Sequence, residues 1–309
     1  MSVRSVDMSG KPTVISTFAG CGGSSLGYKW AGFEELLAIE WDDNAVETFK
    51  LNFPNVPIWK RDMREVTGKE ILDFKWLKPG ELDVLDGSPP CQGFSVIGKR
   101  DVSDDRNDLT IEFIRLINEL QPKVFVMENV AGMVGGKMKG RFKNIMKGLK
   151  STGYNVKCKL MNSQYYDVAQ SRKRLIWIGC RDKSPIFPEP QSKLKYLSDV
   201  LPNITKQNRG QYDKTWKTAK APCYTITTLR GTGDITAGFT GLIFKTKDGV
   251  VRQPTIKEAQ LVSSFPEDFI FTGNVNEQWK RIGNAVMPKF MKHIAKTIKT
   301  KILEKNEKT

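Results

Sequence analysis

Gly87-Ser88-Pro89-Pro90-Cys91-Gln92-Gly93-Phe94-Ser95 is the stretch whose reading decides the fold. It follows a short apolar run, Leu82-Asp83-Val84-Leu85-Asp86, which reads as a buried strand. Two prolines fix φ and cannot donate to a sheet ladder, so the chain leaves the sheet there. Cys91 is thereby held on a stiff turn at the carboxyl end of a strand, where open α/β sheets bind ligands. A thiol in that position is a nucleophile if its surroundings lower its pKa or stabilise what it makes. A lone cysteine there would as readily be structural, so the flanking sequence has to decide.

On the N-terminal side, Thr13 to Phe18 reads as a buried strand and Ala19 to Gly23 as a tight turn. Ser24 and Ser25 are the expected N-caps of a helix through Trp30. Leu36 to Glu40 is the next strand and Asn44 to Asn52 the next helix, which is the opening of a doubly wound sheet. The turn reads Gly20-Cys21-Gly22-Gly23-Ser24-Ser25, not Gly-x-Gly-x-x-Gly, so a pyrophosphate site is disfavoured. What remains is a ligand lying against bare backbone beside an acid, Glu40, with Trp41 following it. A carboxylate there can accept both ribose hydroxyls of an adenosine, and an indole offers a face to the adenine. Asp62, after the extended Pro57-Ile58-Trp59, is placed to accept from the adenine amino group. Each of these three, taken singly, also suits an ordinary surface acid or core aromatic.

On the C-terminal side, residues 93–106 are rich in glycine and charge and read as a mobile loop, with Lys99, Arg100 and Arg106 available to phosphates. Leu109 to Leu120 has helical spacing, which Pro122 ends. Lys123 to Val130 is a buried strand carrying Glu128 and Asn129, where a carboxylate is costly to ionise without a partner. Lys137 to Lys150 is a basic helix with a solvated face. Val156 to Asn162 and Arg174 to Cys180 are expected as a strand pair at the sheet edge. Between them, Gln170-Ser171-Arg172-Lys173-Arg174 puts two arginines two residues apart, so that both can enter one site if the segment is extended.

Composition narrows the partners. The chain has 309 residues, 39% of them hydrophobic, and a net charge of +15, which points to a polyanion such as nucleic acid. Cysteines 21, 91, 158, 180 and 223 form no Cys-x-x-Cys and there is one histidine, His293. That excludes a zinc-finger or thiolate-cluster reading, suits a reducing compartment, and leaves catalysis to carboxylate, cysteine and arginine. No run of eighteen apolar residues and no signal-peptide pattern occurs, so a cytoplasmic, nucleoid-associated protein without membrane partners is expected.

From Asp182 onward, prolines at 185, 188, 190, 202 and 222 and weak periodicity signal a separate small module. It carries Ala221 to Gly233, where Thr228, Leu229 and Arg230 precede a glycine-bracketed loop able to approach bases, with Lys245 and Lys247 nearby for phosphates. Thr255 to Pro266 is a capped helix. Phe290 to Leu303 is an amphipathic helix expected to pack back on the first sheet.

Taken together, Pro89-Pro90-Cys91-Gln92-Gly93-Phe94-Ser95, Phe18-Ala19-Gly20 with Gly22-Gly23, Glu40-Trp41, Asp62, Glu128-Asn129-Val130, Gln170-Ser171-Arg172-Lys173-Arg174 and Gln278 to Pro288 resemble the DNA (cytosine-5)-methyltransferases of the prokaryotic restriction–modification type. The order is the family's throughout, from Phe18 to Pro288. The resemblance implies a Rossmann-like α/β sheet with helices on both faces, formed by residues 1–182 and 280–309, and a small target-recognition domain over 183–279. It implies S-adenosyl-L-methionine as methyl donor, bound by Phe18, Gly20, Gly22, Gly23, Leu26, Glu40, Trp41, Asp62, Pro90, Leu109, Asn284 and Val286. Catalysis would fall to Cys91, Glu128, Asn129, Arg172 and Arg174, and DNA contacts to Ile97, Lys99, Arg100, Arg106, Thr228, Leu229 and Arg230. The implied partner is double-stranded DNA, with a restriction endonuclease acting separately, no metal, and a monomeric enzyme without a eukaryotic-type regulatory extension. Two rivals are weaker. A tRNA methyltransferase on the same scaffold carries a Cys-Phe-Thr element that is absent here, and a dead DNA-binding relative would not retain Cys91, Glu128, Arg172 and Arg174.

Overall fold

A computed structural model describes residues 10–90, 109–134, 139–231 and 241–304. Its first part runs β1 (Thr13–Thr17), α1 (Gly23–Trp30), β2 (Glu34–Glu40), α2 (Asp43–Asn52), β3 (Ile58–Lys60), α3 (Gly68–Lys75), β4 (Val84–Gly87), α4 (Leu109–Leu120), β5 (Val124–Val130), α5 (Lys139–Ser151), β6 (Asn155–Asn162) and β7 (Lys173–Cys180). These strands form a seven-stranded sheet in the order β3-β2-β1-β4-β5-β7-β6. The first five are parallel, and β7 runs antiparallel to both its neighbours.

Alternation along the central strands builds two cores. Ile15, Leu85, Phe125, Met127 and Trp177 face one side, where they meet Phe113, Leu116, Ile117 and Leu120 of α4 and Leu149 of α5. Val14, Val84, Val124, Val126 and Ile178 face the other, covered by Tyr28 of α1 and by Phe290, Met291 and Ile294 from the C-terminal helix. The chain winds outward from β1 to β3, then returns to β4 and winds the other way. Strand order therefore reverses between β1 and β4, the switch point outside whose carboxyl ends open sheets of this kind carry their ligand crevice.

The second part runs α6 (Leu197–Val200), β8 (Ile204–Asn208), β9 (Lys217–Thr218), β10 (Ile243–Thr246), β11 (Val251–Arg252), α7 (Ile256–Val262), α8 (Val275–Asn284) and α9 (Pro288–Thr297), which continues into a π-helical turn over Ile298–Leu303. Strands β11-β10-β8-β9 make a separate antiparallel sheet. Its core combines Ile204 and Phe244 with Ala259 and Val262 of α7 and Trp279 and Ile282 of α8. Thr255 caps α7 and Glu258 closes the capping box. As expected, α9 returns to the first sheet.

One local expectation is corrected. Ser24 and Ser25 do not cap α1. The cap is Gly22 at φ +92°, and both serines lie buried inside the first turn. Ser25 Oγ instead donates to Glu35 Oε1 at 2.8 Å. A left-handed glycine supplies the sharp entry that a β-region serine cap would not. A Cβ at Gly22 would also lie 2.3 Å from the Phe53 ring.

Candidate active site

The crevice is built from the ends of β1, β2, β4 and β5. Phe18 leaves β1 in the left-handed region at φ +54°, a conformation that costs a non-glycine residue about 1–3 kcal/mol and that clusters at functional sites. It aims the next amides across to β2. Gly20 N donates to Glu40 Oε2 at 2.8 Å, while Glu40 Oε1 accepts from Trp41 N and Asp42 N at 2.9 Å each. Glu40 is buried and fixed by three amides. Beside it the Trp41 indole is 64% exposed, an open aromatic face. Leu26 is buried under the turn with Phe49 and Phe53. A Cβ at Gly23 would lie 2.2 Å from Val286 O, so the start of α1 and the segment after α8 touch directly. Asn284, the last residue of α8, is exposed.

Asp62 lies just past β3. Its carboxylate accepts from Arg64 N, Nε and Nη2 and caps the 3-10 turn Met63–Glu65. The Arg64 side chain, hydrogen-bonded to it, holds its pKa below the ordinary carboxylate value.

On the other side of the crevice, Pro89 is buried and Pro90 exposed at the limit of the described chain, and Leu109 opens α4 against the sheet core. Cys91 lies outside the described residues, as do Ile97, Lys99, Arg100 and Arg106. The chain before Cys91 is anchored at Pro89, whose carbonyl accepts from Asn129 Nδ2 at 3.0 Å, while Asn129 Oδ1 accepts from Val130 N at 2.8 Å. Glu128, next to it on β5, pairs with Arg174 of β7, Nε to Oε1 at 2.6 Å, both side chains largely buried. Their register explains the pair. Val130 lies opposite Arg174, so Glu128 is its diagonal neighbour on the same sheet face, within reach of a long side chain.

Arg172 does not join that pair. It precedes β7 and is buried, with Nη1 donating to Ile226 O at 2.8 Å and Nη2 to Gly283 O at 2.7 Å. Burial pushes its pKa down and the Arg174 charge adds to this. Gln170 works beside it, donating from Nε2 to Ser263 Oγ and accepting the Ile226 amide. A backbone bridge joins Gln170 to Cys223. These residues fasten the segment 223–226 to the approach to β7, a role that spacing alone did not reveal.

The recognition residues divide. Thr228 and Leu229 are exposed. Arg230 is turned inward, its guanidinium 6.0 Å from the Trp279 ring and donating to Pro254 O at 3.4 Å, with Nε buried and unpaired. The sequence reading missed the bidentate Arg281–Asp42 pair, at 2.8 and 3.0 Å, which ties α8 to the start of α2 beside Glu40. Burial alone would raise the pKa of Asp42, but the Ala45 amide and Arg281 hold it below its ordinary value. Its sequence signal was only an aspartate in N-cap position. Among the described residues no group of His, Cys, Asp and Glu is placed to hold a metal ion.

A switch point with a buried acid and an open indole on one side and a carboxylate–arginine pair on the other suits an enzyme of the doubly wound class. The family of C-5 cytosine-specific DNA methylases matches residues 12–234 and 203–300, and the chain belongs to it. It is therefore a DNA (cytosine-5)-methyltransferase. Type II methyltransferase M1.HphI of Haemophilus parahaemolyticus is 30% identical over 93% of this chain and 86% of its own length. Type II methyltransferase M.NgoPII of Neisseria gonorrhoeae is 31% identical over 94% and 96%. A solved chain described as a DNA modification methyltransferase encoded within an E. coli prophage shares the fold at a TM-score of 0.73. It is 23% identical and covers 95% of this chain and 100% of its own.

Proposed function

We propose that this enzyme methylates C5 of a cytosine flipped out of a short specific sequence in double-stranded DNA, through a covalent adduct between Cys91 and ring C6. The observation that carries the reading is the Glu128–Arg174 pair, buried beside the Pro89 turn that Asn129 anchors. The wall formed by Phe18, Gly20, Gly22, Gly23, Glu40 and Trp41 suits S-adenosyl-L-methionine, since Glu40 is buried and amide-fixed where ribose hydroxyls would approach and Trp41 leaves a ring face open. When bound, that cofactor supplies an electrophilic sulfonium methyl group. Leu26 and Val286 shape the floor, Pro90, Leu109 and Asn284 the rim.

C5 of cytosine is too weak a nucleophile to accept a methyl group unaided. The Cys91 thiolate donates an electron pair to C6, forming the S–C6 bond and moving the C5–C6 π pair onto C5, from where conjugation through C4 shares it with N3. Glu128 meets the charge that develops at N3 with a proton or a hydrogen bond, and Arg174 holds both Glu128 and O2. C5 takes the methyl group while the broken C–S pair stays on the donor sulfur, which leaves as a neutral thioether. C5 then gives its proton to water, the C5–H pair re-forms C5–C6, and the C6–S pair leaves with Cys91 as thiolate. The base has to leave the stack to be reached, at a cost of roughly a few kcal/mol. Residues 183–279 form the recognition unit, Ile97, Lys99, Arg100 and Arg106 hold the DNA over the crevice, and Thr228 and Leu229 contact the target. The enzyme acts as a cytoplasmic monomer, with a separate endonuclease as its counterpart.

Replacing Cys91 by serine tests the reading, because a hydroxyl is too weakly acidic to add to C6. Transfer of labelled methyl groups to plasmid DNA should vanish in Cys91→Ser while duplex binding persists. Full turnover by that variant would sink the assignment.

A further inference from the structure

We infer that Arg281 is a positioning residue for the cofactor: acting through Asp42, it sets the Glu40 carboxylate and the Trp41 indole where an adenosine would meet them. This rests on the proposed function, which places S-adenosyl-L-methionine against these two residues, and adds a residue that stands behind that wall.

Arg281 reaches the wall from α8. Its side chain is 7% exposed, and its guanidinium grips Asp42 as a fork, Nη1 to Oδ1 at 2.8 Å and Nη2 to Oδ2 at 3.0 Å. Asp42 passes the constraint on. Its carboxylate caps α2 by accepting from Ala45 N at 3.0 Å, and its amide donates to Glu40 Oε1 at 2.9 Å. The arginine thus holds the residue whose backbone holds the buried acid, with Trp41 between the two in sequence.

The main chain of Arg281 reaches the opposite part of the wall. Its carbonyl accepts from the buried Cys21 Sγ at 3.8 Å, and Cys21 follows Gly20, whose amide donates to Glu40 Oε2 at 2.8 Å. Burial pushes the Cys21 thiol up to about 12, so it keeps its proton and stays a donor. Both oxygens of Glu40 therefore meet segments that Arg281 fastens.

Attachment of α2 as a whole rests on other contacts. Asn52 Nδ2 donates to Ile270 O at 2.8 Å and Asn52 Oδ1 accepts the Ile270 amide at 2.9 Å, while Thr48 and Asn44 hydrogen-bond to Thr272. What Arg281 governs is the entry to α2, the two residues after Glu40. A bidentate fork fixes direction as well as distance, which is what a seat for two ribose hydroxyls and an adenine face requires.

Calorimetry with S-adenosyl-L-homocysteine, which binds without turnover, tests the role. A wild type that binds none would overturn the cofactor reading itself. Given wild-type binding, Arg281→Ala should weaken it roughly tenfold, about the worth of one charge-assisted hydrogen bond, and the cofactor KM should rise by more than kcat falls. Arg281→Lys, which keeps the charge but not the fork, should lose less. Asp42→Asn keeps the α2 cap and breaks the ion pair, and adding it to Arg281→Ala should cost no further affinity. Arg252→Ala is the control. It breaks another fork, Arg252 Nη1 and Nη2 to Glu258 at 2.7 Å each, and should lower the urea midpoint while cofactor affinity stays at the wild-type level. Wild-type affinity in Arg281→Ala, an equal loss in Arg252→Ala, or additive losses in the double variant would each overturn the inference. Should Arg281→Ala fail to fold, Arg281→Lys and Asp42→Asn decide it, and wild-type affinity in both would overturn it equally.

Discussion

Arg172 holds a buried charge without a carboxylate, its Nη1 and Nη2 each meeting a backbone carbonyl from a different part of the chain. Removing it leaves two buried acceptors unpaired and a cavity between the strand, the segment at Ile226 and the end of α8. Arg172→Ala should therefore cost about 2–4 kcal/mol in urea unfolding. Arg172→Lys, which reaches one carbonyl and not two, should recover part of it. Arg174→Ala should behave differently, with methyl transfer falling far more than stability, since its partner Glu128 faces the crevice. Comparable stability losses and comparable rates in the two alanine variants would contradict this division. The spacing of the arginines was legible in the sequence but their separation was not. The rule that residues two apart share a face holds only inside a regular strand, and β7 begins at Lys173, between them. The partners of Arg172 are 54 and 111 residues away, beyond the reach of any local pattern.

At the scale of the element, the turn from β1 into α1 shapes the proposed cofactor wall. Gly22→Ala introduces a side chain at φ +92° and drives its Cβ toward Phe53, so it should destabilise by roughly 1–3 kcal/mol. Because the same turn aims Gly20 N at Glu40, affinity for S-adenosyl-L-methionine should fall with it, and calorimetry on the purified variant checks both. Wild-type affinity would mean that the turn can relax without moving the Gly20 amide. Elements with strong local signals were readable in advance. Helix α4 ends at Leu120, where its apolar spacing does, and α7 starts at the Thr255 cap. The two-residue strands β9 and β11 were not, because so short a strand has no period, and pairing with β8 and β10 defines it. The caps of α1 were misread for a related reason: serine before a helix signals a cap only when nothing else in the fold needs its hydroxyl, and Glu35 does.

For the molecule as a whole, two acids between the sheet and α1 underlie the proposed cofactor wall, Asp86 buried and Glu35 half-buried. Asp86 of β4 is buried against Tyr28, whose hydroxyl lies 3.2 Å from it, and against Ser24; Glu35 of β2 accepts from Ser25 Oγ at 2.8 Å. Burial pushes both carboxyls up to about 7. The folded protein then keeps these protons at pH values where the unfolded chain, with carboxyl pKa values near 4, has released them. Between about pH 4 and 7 the native state binds more protons, so this contribution to stability is complete below pH 4 and is lost as pH rises to 7. The two acids thus pull the optimum of stability toward the acid side, against the basic net charge of +15, which favours DNA binding at any pH near neutral. Asp86→Asn keeps the shape and cannot ionise. Relative to the wild type it should gain on the order of a few kcal/mol in going from pH 5 to pH 8, read as the difference of urea midpoints at the two pH values. Glu35→Gln should shift the same way, and the double variant by less than the sum, since each charge raises the cost of the other. A pH dependence identical in wild type and Asp86→Asn would mean that Asp86 ionises freely within its polar shell and carries no part of the acid-side preference.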